Sequence, residues 1–162
     1  MFGIGKKKAP LIEDTKLYAP LDGETIELSS VSDPVFAKKM MGEGFAITPT
    51  GSQVVAPVAA EVTMIEGHAI GLKRADGLEV LVHLGLDTVT LNGVPFTSLV
   101  KAGDIVTGGT PLVTVDWAAV QAAGLETTTM IIFTNTNDKL ADFDIKYQTV
   151  TAGEEIGHAN VK

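Results

Sequence analysis

Apolar and polar positions along the chain alternate in short runs of strand length, without the three-to-four spacing that marks long amphipathic helices. The clearest runs are Glu24–Leu28, Gly44–Ile47, Glu61–Ile65, Leu78–Leu84, Pro111–Val115 and Thr129–Phe133, most of them rich in Val, Ile or Thr. Turn signals punctuate them at Asp22-Gly23, Pro49-Thr50-Gly51, Ala75-Asp76-Gly77, Asn92-Gly93 and Ala102-Gly103-Asp104. The pattern predicts an all-β protein, an antiparallel β-sandwich or barrel, with short connector helices. Two helices are expected. One begins at Pro34 behind Asp33 as N-cap and runs to about Met41; the other covers Trp117–Ala123 behind Asp116 and stops at Gly124.

Two sequence elements recur. Ala19-Pro20-Leu21-Asp22-Gly23-Glu24 is echoed by Ala56-Pro57-Val58-Ala59-Ala60-Glu61, and Val100-Lys101-Ala102-Gly103-Asp104 by Val150-Thr151-Ala152-Gly153-Glu154. Two copies fit a sandwich whose halves reuse the same turn, and are too few for a solenoid. Residues 1–15 lack periodicity and are expected to form a flexible tail, whereas 16–162 reads as one domain with no linker-like break.

Composition narrows the function. The chain has 162 residues, a formal net charge of −8 and a single arginine, Arg74, and its lysines are scattered apart from Lys6–Lys8. Phosphate backbones demand clustered cations, so nucleic acid is not an expected partner. With no cysteine there is neither a disulfide nor a thiolate nucleophile. No apolar run is long enough to cross a bilayer, and the first residues lack a signal-peptide pattern, so the cytoplasm is the expected compartment. Phe2 and Ile4 beside three lysines would permit at most peripheral membrane contact through the tail.

Candidate chemistry centres on the three histidines. His158 lies in a polar stretch, but His68 and His83 lie in apolar, strand-like surroundings. Alternation places Val80, Val82 and Leu84 on one face and Leu81 with His83 on the other. Ile70–Leu78 reads as strand, turn, strand, which brings the His68 and His83 ends together if the strands pair antiparallel. Two converging imidazoles can bind a metal, shuttle protons or pass a phosphoryl group; each is equally readable as a satisfied core residue, and the hairpin alone does not choose. Gly3-Ile-Gly5 and Gly42-Glu-Gly44 lack the rest of a nucleotide-binding pattern, and Ser29, Ser30 and Ser32 lack a nucleophile-elbow context.

At these histidines the sequence resembles the glucose-type enzyme IIA family of the bacterial phosphoenolpyruvate-dependent sugar phosphotransferase system. The resemblance rests on Val80-Leu-Val-His83-Leu-Gly-Leu-Asp87-Thr-Val89 and Gly67-His68-Ala-Ile70, and extends in order through Ala19–Gly23, Asp33–Phe36, Met41–Gly44, Ala46–Gly51 and Val55–Pro57. It implies an antiparallel sandwich of the duplicated hybrid type over residues 16–162 and no cofactor. It further implies that His83 accepts a phosphoryl group from the histidine-containing phosphocarrier protein HPr and passes it to the EIIB domain of a sugar permease, with His68 in support; in that role His83 is expected to attack through Nε2 with its Nδ1–H held by a backbone carbonyl or water, and His68 to donate to a phosphoryl oxygen. Asp87 and Asp33 match acidic residues beside the family's site and would pair with a cationic group of the donor. Phe36, Met40 and Val89 would form an apolar ring around it, or ordinary core.

Two departures stand out. Glu66 replaces the threonine usual two positions before the supporting histidine, and is expected to raise the pKa of His68 and repel phosphoryl oxygens. Ala59-Ala60 stands where the family tends to have Asp-Gly. Two other readings accompany the carrier: a regulatory binding module that senses phosphorylation with weak transfer, and a zinc hydrolase using His68, His83 and Asp87.

Overall fold

The computed structural model of the protein describes residues 10–162. Nine residues of the expected tail, including Phe2, Ile4 and Lys6–Lys8, lie outside the described residues. Along the chain the strands are β1 (Lys16–Tyr18), β2 (Gly23–Glu27), β3 (Glu43–Pro49), β4 (Gln53–Val55), β5 (Ala60–Glu66), β6 (Ala69–Lys73), β7 (Glu79–Leu84), β8 (Phe96–Ser98), β9 (Ile105–Val106), β10 (Pro111–Val115), β11 (Thr129–Phe133), β12 (Leu140–Ile145), β13 (Thr149–Val150) and β14 (Glu155–Val161). Short helices α1 (Pro34–Ala37), α2 (Trp117–Ala122) and α3 (Thr136–Lys139) connect them, with 3₁₀ turns at Leu28–Ser30 and Thr88–Leu91.

All strand pairs are antiparallel. An eight-stranded sheet of order β13-β2-β3-β11-β7-β6-β5-β9 faces two three-stranded sheets, β1-β14-β12 and β4-β10-β8. One apolar core joins the three: Val80, Val82 and Leu84 from β7 and Phe45 from β3 meet Leu17, Ile156 and Leu112 from the smaller sheets. The expected sandwich is therefore present, and the alternation read from β7 sets its inner face.

The centre of the large sheet is apolar on both faces. Ala46, Met130 and Ile132 point away from the main core and form a second cluster with Leu28, Val31, Phe36 and Leu86. This explains the continuous hydrophobic runs of β3 and β11, which carry no polar alternate. The cover over this outer face is α1 and the segment preceding it.

Helix α1 starts as expected, with the Asp33 side chain accepting from the Val35 N–H at 2.8 Å and Pro34 in the first turn. It ends four residues short of Met41. Lys39 adopts φ 60°, and Lys39 N–H donates to Phe36 O while Met40 N–H donates to Val35 O, a Schellman closure with lysine in the position glycine usually holds. The second helix follows its forecast to within a residue, with Asp116 accepting from Ala119 N–H at 3.2 Å.

Both repeats have a structural basis. Tyr18 N–H donates to Pro57 O and Val55 N–H to Pro20 O, so the two Ala-Pro segments cross and exchange hydrogen bonds. Gly103 N–H donates to Val62 O while Val62 N–H donates to Asp104 O, and the same pair of bonds links Gly153 and Glu154 to Ala19. In each turn the acidic side chain accepts from the backbone N–H three residues earlier, Lys101 for Asp104 and Thr151 for Glu154.

Candidate functional site

β6 and β7 pair as the expected hairpin, with Ala69 opposite His83 and Ile70 opposite Val82. On its other side His83 faces Met130 of β11. Strand alternation sends its side chain to the outer face, where Phe36 of α1 covers it: the two ring centroids are 5.1 Å apart at an interplanar angle of 55°. His68 occupies the two-residue turn between β5 and β6, formed with Gly67 at φ 45°. The Leu84 N–H donates to the His68 carbonyl at 2.7 Å, fixing that turn against the end of β7. The imidazoles consequently meet edge to face, with centroids 5.1 Å apart at 76°.

His83 is held in one tautomer. Its Nδ1 lies 2.8 Å from the Gly85 carbonyl oxygen, an acceptor only, so Nδ1 carries a hydrogen and, in the neutral ring, Nε2 keeps its lone pair. The local turn builds this contact. Gly85 has φ 80°, and a Cβ there would sit 2.6 Å from Thr88 Cγ2 and 2.9 Å from Glu126 O. Thr88, fully buried, donates from Oγ1 to Leu84 O at 2.6 Å. Leu86 N–H donates to Glu126 O, and Glu126 in turn accepts from Ser32 Oγ at 2.8 Å, tying the loops before α1, after β7 and before β11 together.

Burial favours the neutral form of both rings. For His83 desolvation pushes the pKa below the ordinary 6.5; the Gly85 carbonyl opposes this, the neighbouring His68 adds to it, and Asp33 and Asp87 oppose it more weakly. For His68 desolvation again lowers the pKa, while Glu66 raises it. The expected upward pull of Glu66 thus has the right sign, but burial outweighs it and the net shift is downward.

The remaining candidates divide. Asp33 is both helix cap and part of the electrostatic environment of His83. Asp87 is exposed, in the left-handed conformation at φ 60°, at the start of the Thr88–Leu91 turn. Phe36 is only 5% exposed and forms the wall behind His83. Val89, 59% exposed, lines a shallow depression with Glu66, His68, Asn92 and Gly93. Met40 is 71% exposed but lines a separate depression with Lys39, Met41 and residues Thr134–Asp138. His158 sits on β14 of a smaller sheet, opposite Lys16 and Asp144.

The sequence did not reveal that the carbonyl on His83 Nδ1 is that of Gly85, nor the role of the Thr88 hydroxyl, nor that Val94 is 83% exposed. A glycine two residues after a strand histidine was the one available signal. The zinc reading needs three converging ligands, and among the described residues no three His, Asp or Glu side chains are placed to hold one ion. Arg74 is buried and bound to Asp76 and to Ala159 O, within the fold and outside this site.

The class of protein this describes is an antiparallel sandwich that brings two imidazoles into mutual contact on the outer face of its large sheet. Residues 15–139 match the family described as phosphoenolpyruvate-dependent sugar phosphotransferase system, EIIA 1, and the chain belongs to it. That membership places the protein in the phosphoryl-transfer machinery of sugar transport. It is similar to the PTS system glucose-specific EIIA component of Halalkalibacterium halodurans, 41% identical over 167 residues, which cover 100% of this chain and 96% of the relative. It is also similar to the PTS system glucose-specific EIICBA component of Streptococcus pneumoniae, 50% identical over 122 residues, covering 74% of this chain and 17% of that protein. Among solved structures, the glucose permease IIA from Mycoplasma capricolum superposes with a TM-score of 0.78 at 35% identity, covering 88% of this chain and 93% of that one.

Among the described residues no helix is long and apolar enough to cross a membrane.

Proposed function

We propose that the protein is a cytoplasmic phosphocarrier in which His83 accepts a phosphoryl group from HPr and donates it to the EIIB domain of a sugar permease. The observation that carries this reading is the His83 Nδ1 contact with Gly85 O, which leaves Nε2 as a fixed, unprotonated nucleophile. The Nε2–P bond forms as the donor's N–P bond breaks, and Nδ1 keeps its hydrogen against Gly85 throughout. A loose phosphoryl-transfer transition state asks mainly for in-line placement and charge stabilisation. His68, edge-on to His83, supplies an N–H to a phosphoryl oxygen. Phe36 shields one face of the acceptor ring from water.

Asp33 and Asp87 give the rim its negative charge and pair with a cationic group of the donor, while Val89 offers an apolar contact. Residues 16–162 are the transferring unit and 1–15 its tail. The Streptococcus pneumoniae relative, whose name joins the A, B and C components in one chain, supports EIIB as the acceptor, and glucose is the sugar named for both curated relatives.

The test is transfer of label from phosphoenolpyruvate, with enzyme I and HPr, to the wild type, His83→Ala and His68→Ala. Wild type and His68→Ala take up label, His83→Ala does not, and His68→Ala fails to pass it on to EIIB. Absence of label in the wild type would end the reading.

One observation favours a second role. Glu66 lies on the same rim as His68 and adds a negative charge where a phosphoryl group must dock. In a regulatory binding module with weak transfer, the wild type labels slowly and Glu66→Thr restores the rate; equal rates for the two proteins would exclude it.

A further inference from the structure

We propose that Asn92-Gly93 is a site of spontaneous deamidation, and that its conversion displaces the turn carrying His68. This is the single Asn-Gly pair in the chain. Asn92 is exposed and left-handed, at φ 54° and ψ 34°, just past the Thr88–Leu91 turn. Among the described residues its side chain has no hydrogen-bond partner, and neither has the Gly93 N–H. The attacking nitrogen and the side-chain amide are therefore both unengaged, and Gly93 has no side chain to hinder the rotation about the Asn92 Cα–C bond that brings them together. The other asparagines differ. Asn135 donates to Gly77 O and accepts from Glu79 N–H, Asn160 donates to Asp142, and Asn137 precedes an aspartate.

The chemistry needs only water. The Gly93 nitrogen attacks Asn92 Cγ; the new C–N bond closes a five-membered imide as the Cγ–Nδ2 bond breaks, and Nδ2 leaves as ammonia with the proton from Gly93. Water then opens the ring at either carbonyl. One opening gives aspartate; the other routes the main chain through Cγ and gives isoaspartate, with one methylene more in the backbone.

The site's position gives the conversion a consequence. Gly93 packs against Gly67: a Cβ on Gly67 would lie 2.8 Å from Gly93 Cα, and one on Gly93 would lie 3.8 Å from Gly67 Cα. Gly67 and His68 together are the β5–β6 turn. An extra backbone atom beside this contact pushes the turn, and the new carboxylate joins Glu66 on the rim of the same depression.

The full-length folded protein is incubated in mildly alkaline buffer, digested, and its peptides are weighed, with isoaspartate located by fragmentation. The Asn92 peptide gains one mass unit several-fold faster than those of Asn135, Asn137 and Asn160. No gain at Asn92, under conditions in which the urea-denatured chain converts, would overturn the proposal. Histidine ring signals in NMR spectra supply the second readout: those of His68 shift between fresh and converted protein, those of His158 do not, and Asn92→Gln aged alongside keeps the His68 signals of its fresh form. An unmoved His68 in converted protein, or the same ageing shift in Asn92→Gln, would refute the link to the turn. Neither readout uses phosphoryl transfer, so failure here leaves the proposed carrier role standing.

Discussion

Two imidazoles in contact, both below their ordinary pKa, set a pH signature. Because burial lowers His83 and His68, the unfolded chain binds protons at a higher pH than the folded one. Stability is unaffected while both states are neutral, falls as pH drops through the ordinary value of 6.5, and stops falling from this cause once the folded histidines are themselves protonated. Replacing the more deeply buried ring with the uncharged amide of His83→Gln should flatten this acid-side loss, measured as the unfolding midpoint across a pH series. An unchanged slope would mean that the ring is not held neutral by its surroundings. At this scale the sequence was informative where alternation or capping operates: the face of His83 and the cap at Asp33 followed from residue type and spacing. A backbone carbonyl or water on Nδ1 was expected, but which carbonyl was not legible, since any residue carries one and only the left-handed turn at Gly85 aims it.

The segment from His83 to Thr88 acts as one unit, because the strand end, the glycine turn and the buried threonine hold one another. Gly85→Ala forces a Cβ toward Thr88 and Glu126 and places a non-glycine residue in the left-handed region, which alone costs about 1–2 kcal/mol. The expected result is a loss of at least this size in chemical denaturation, together with slower phosphoryl acceptance as the Gly85 carbonyl leaves His83. Wild-type acceptance in a destabilised variant would show that the Nδ1 contact is dispensable. Long or strongly patterned elements could be read in advance, and β10 and β11 match their runs residue for residue. Elements such as β9 and β13, two residues each, arise from tertiary pairing with β5 and β2 and leave no periodicity to detect. Helix α1 is shorter than its pattern because Lys39 turns left-handed and closes it; lysine in that position gives no stop signal.

Across the whole molecule, the repeats anchor the two ends of the sandwich with the same backbone exchange, and one buried ion pair links the hairpin tip to the last strand. Arg74 and Asp76 are both nearly inaccessible, and Arg74 Nη2 also donates to Ala159 O of β14 at 2.9 Å. Desolvation pushes the Asp76 carboxyl up, but the hydrogen bonds and charge of Arg74, with backbone N–H donors, bring it below the usual range. Asp76→Ala strands a buried guanidinium and should cost about 3–5 kcal/mol in equilibrium unfolding; a loss below about 1 kcal/mol, the scale of an exposed pair, would mean that solvent reaches the arginine. Composition identified Arg74 as the lone arginine, and only the fold showed that it is structural.

The central claim concerns one nitrogen atom, and it can be read directly. Protein labelled with ¹⁵N in its histidines is phosphorylated by phosphoenolpyruvate, enzyme I and HPr, and its ring signals are assigned by NMR. The account predicts a phosphoryl group on Nε2 of His83, with the Nδ1 hydrogen still bonded to Gly85 and His158 unchanged. Phosphate on His68, on Nδ1 of His83, or on no histidine at all would contradict it.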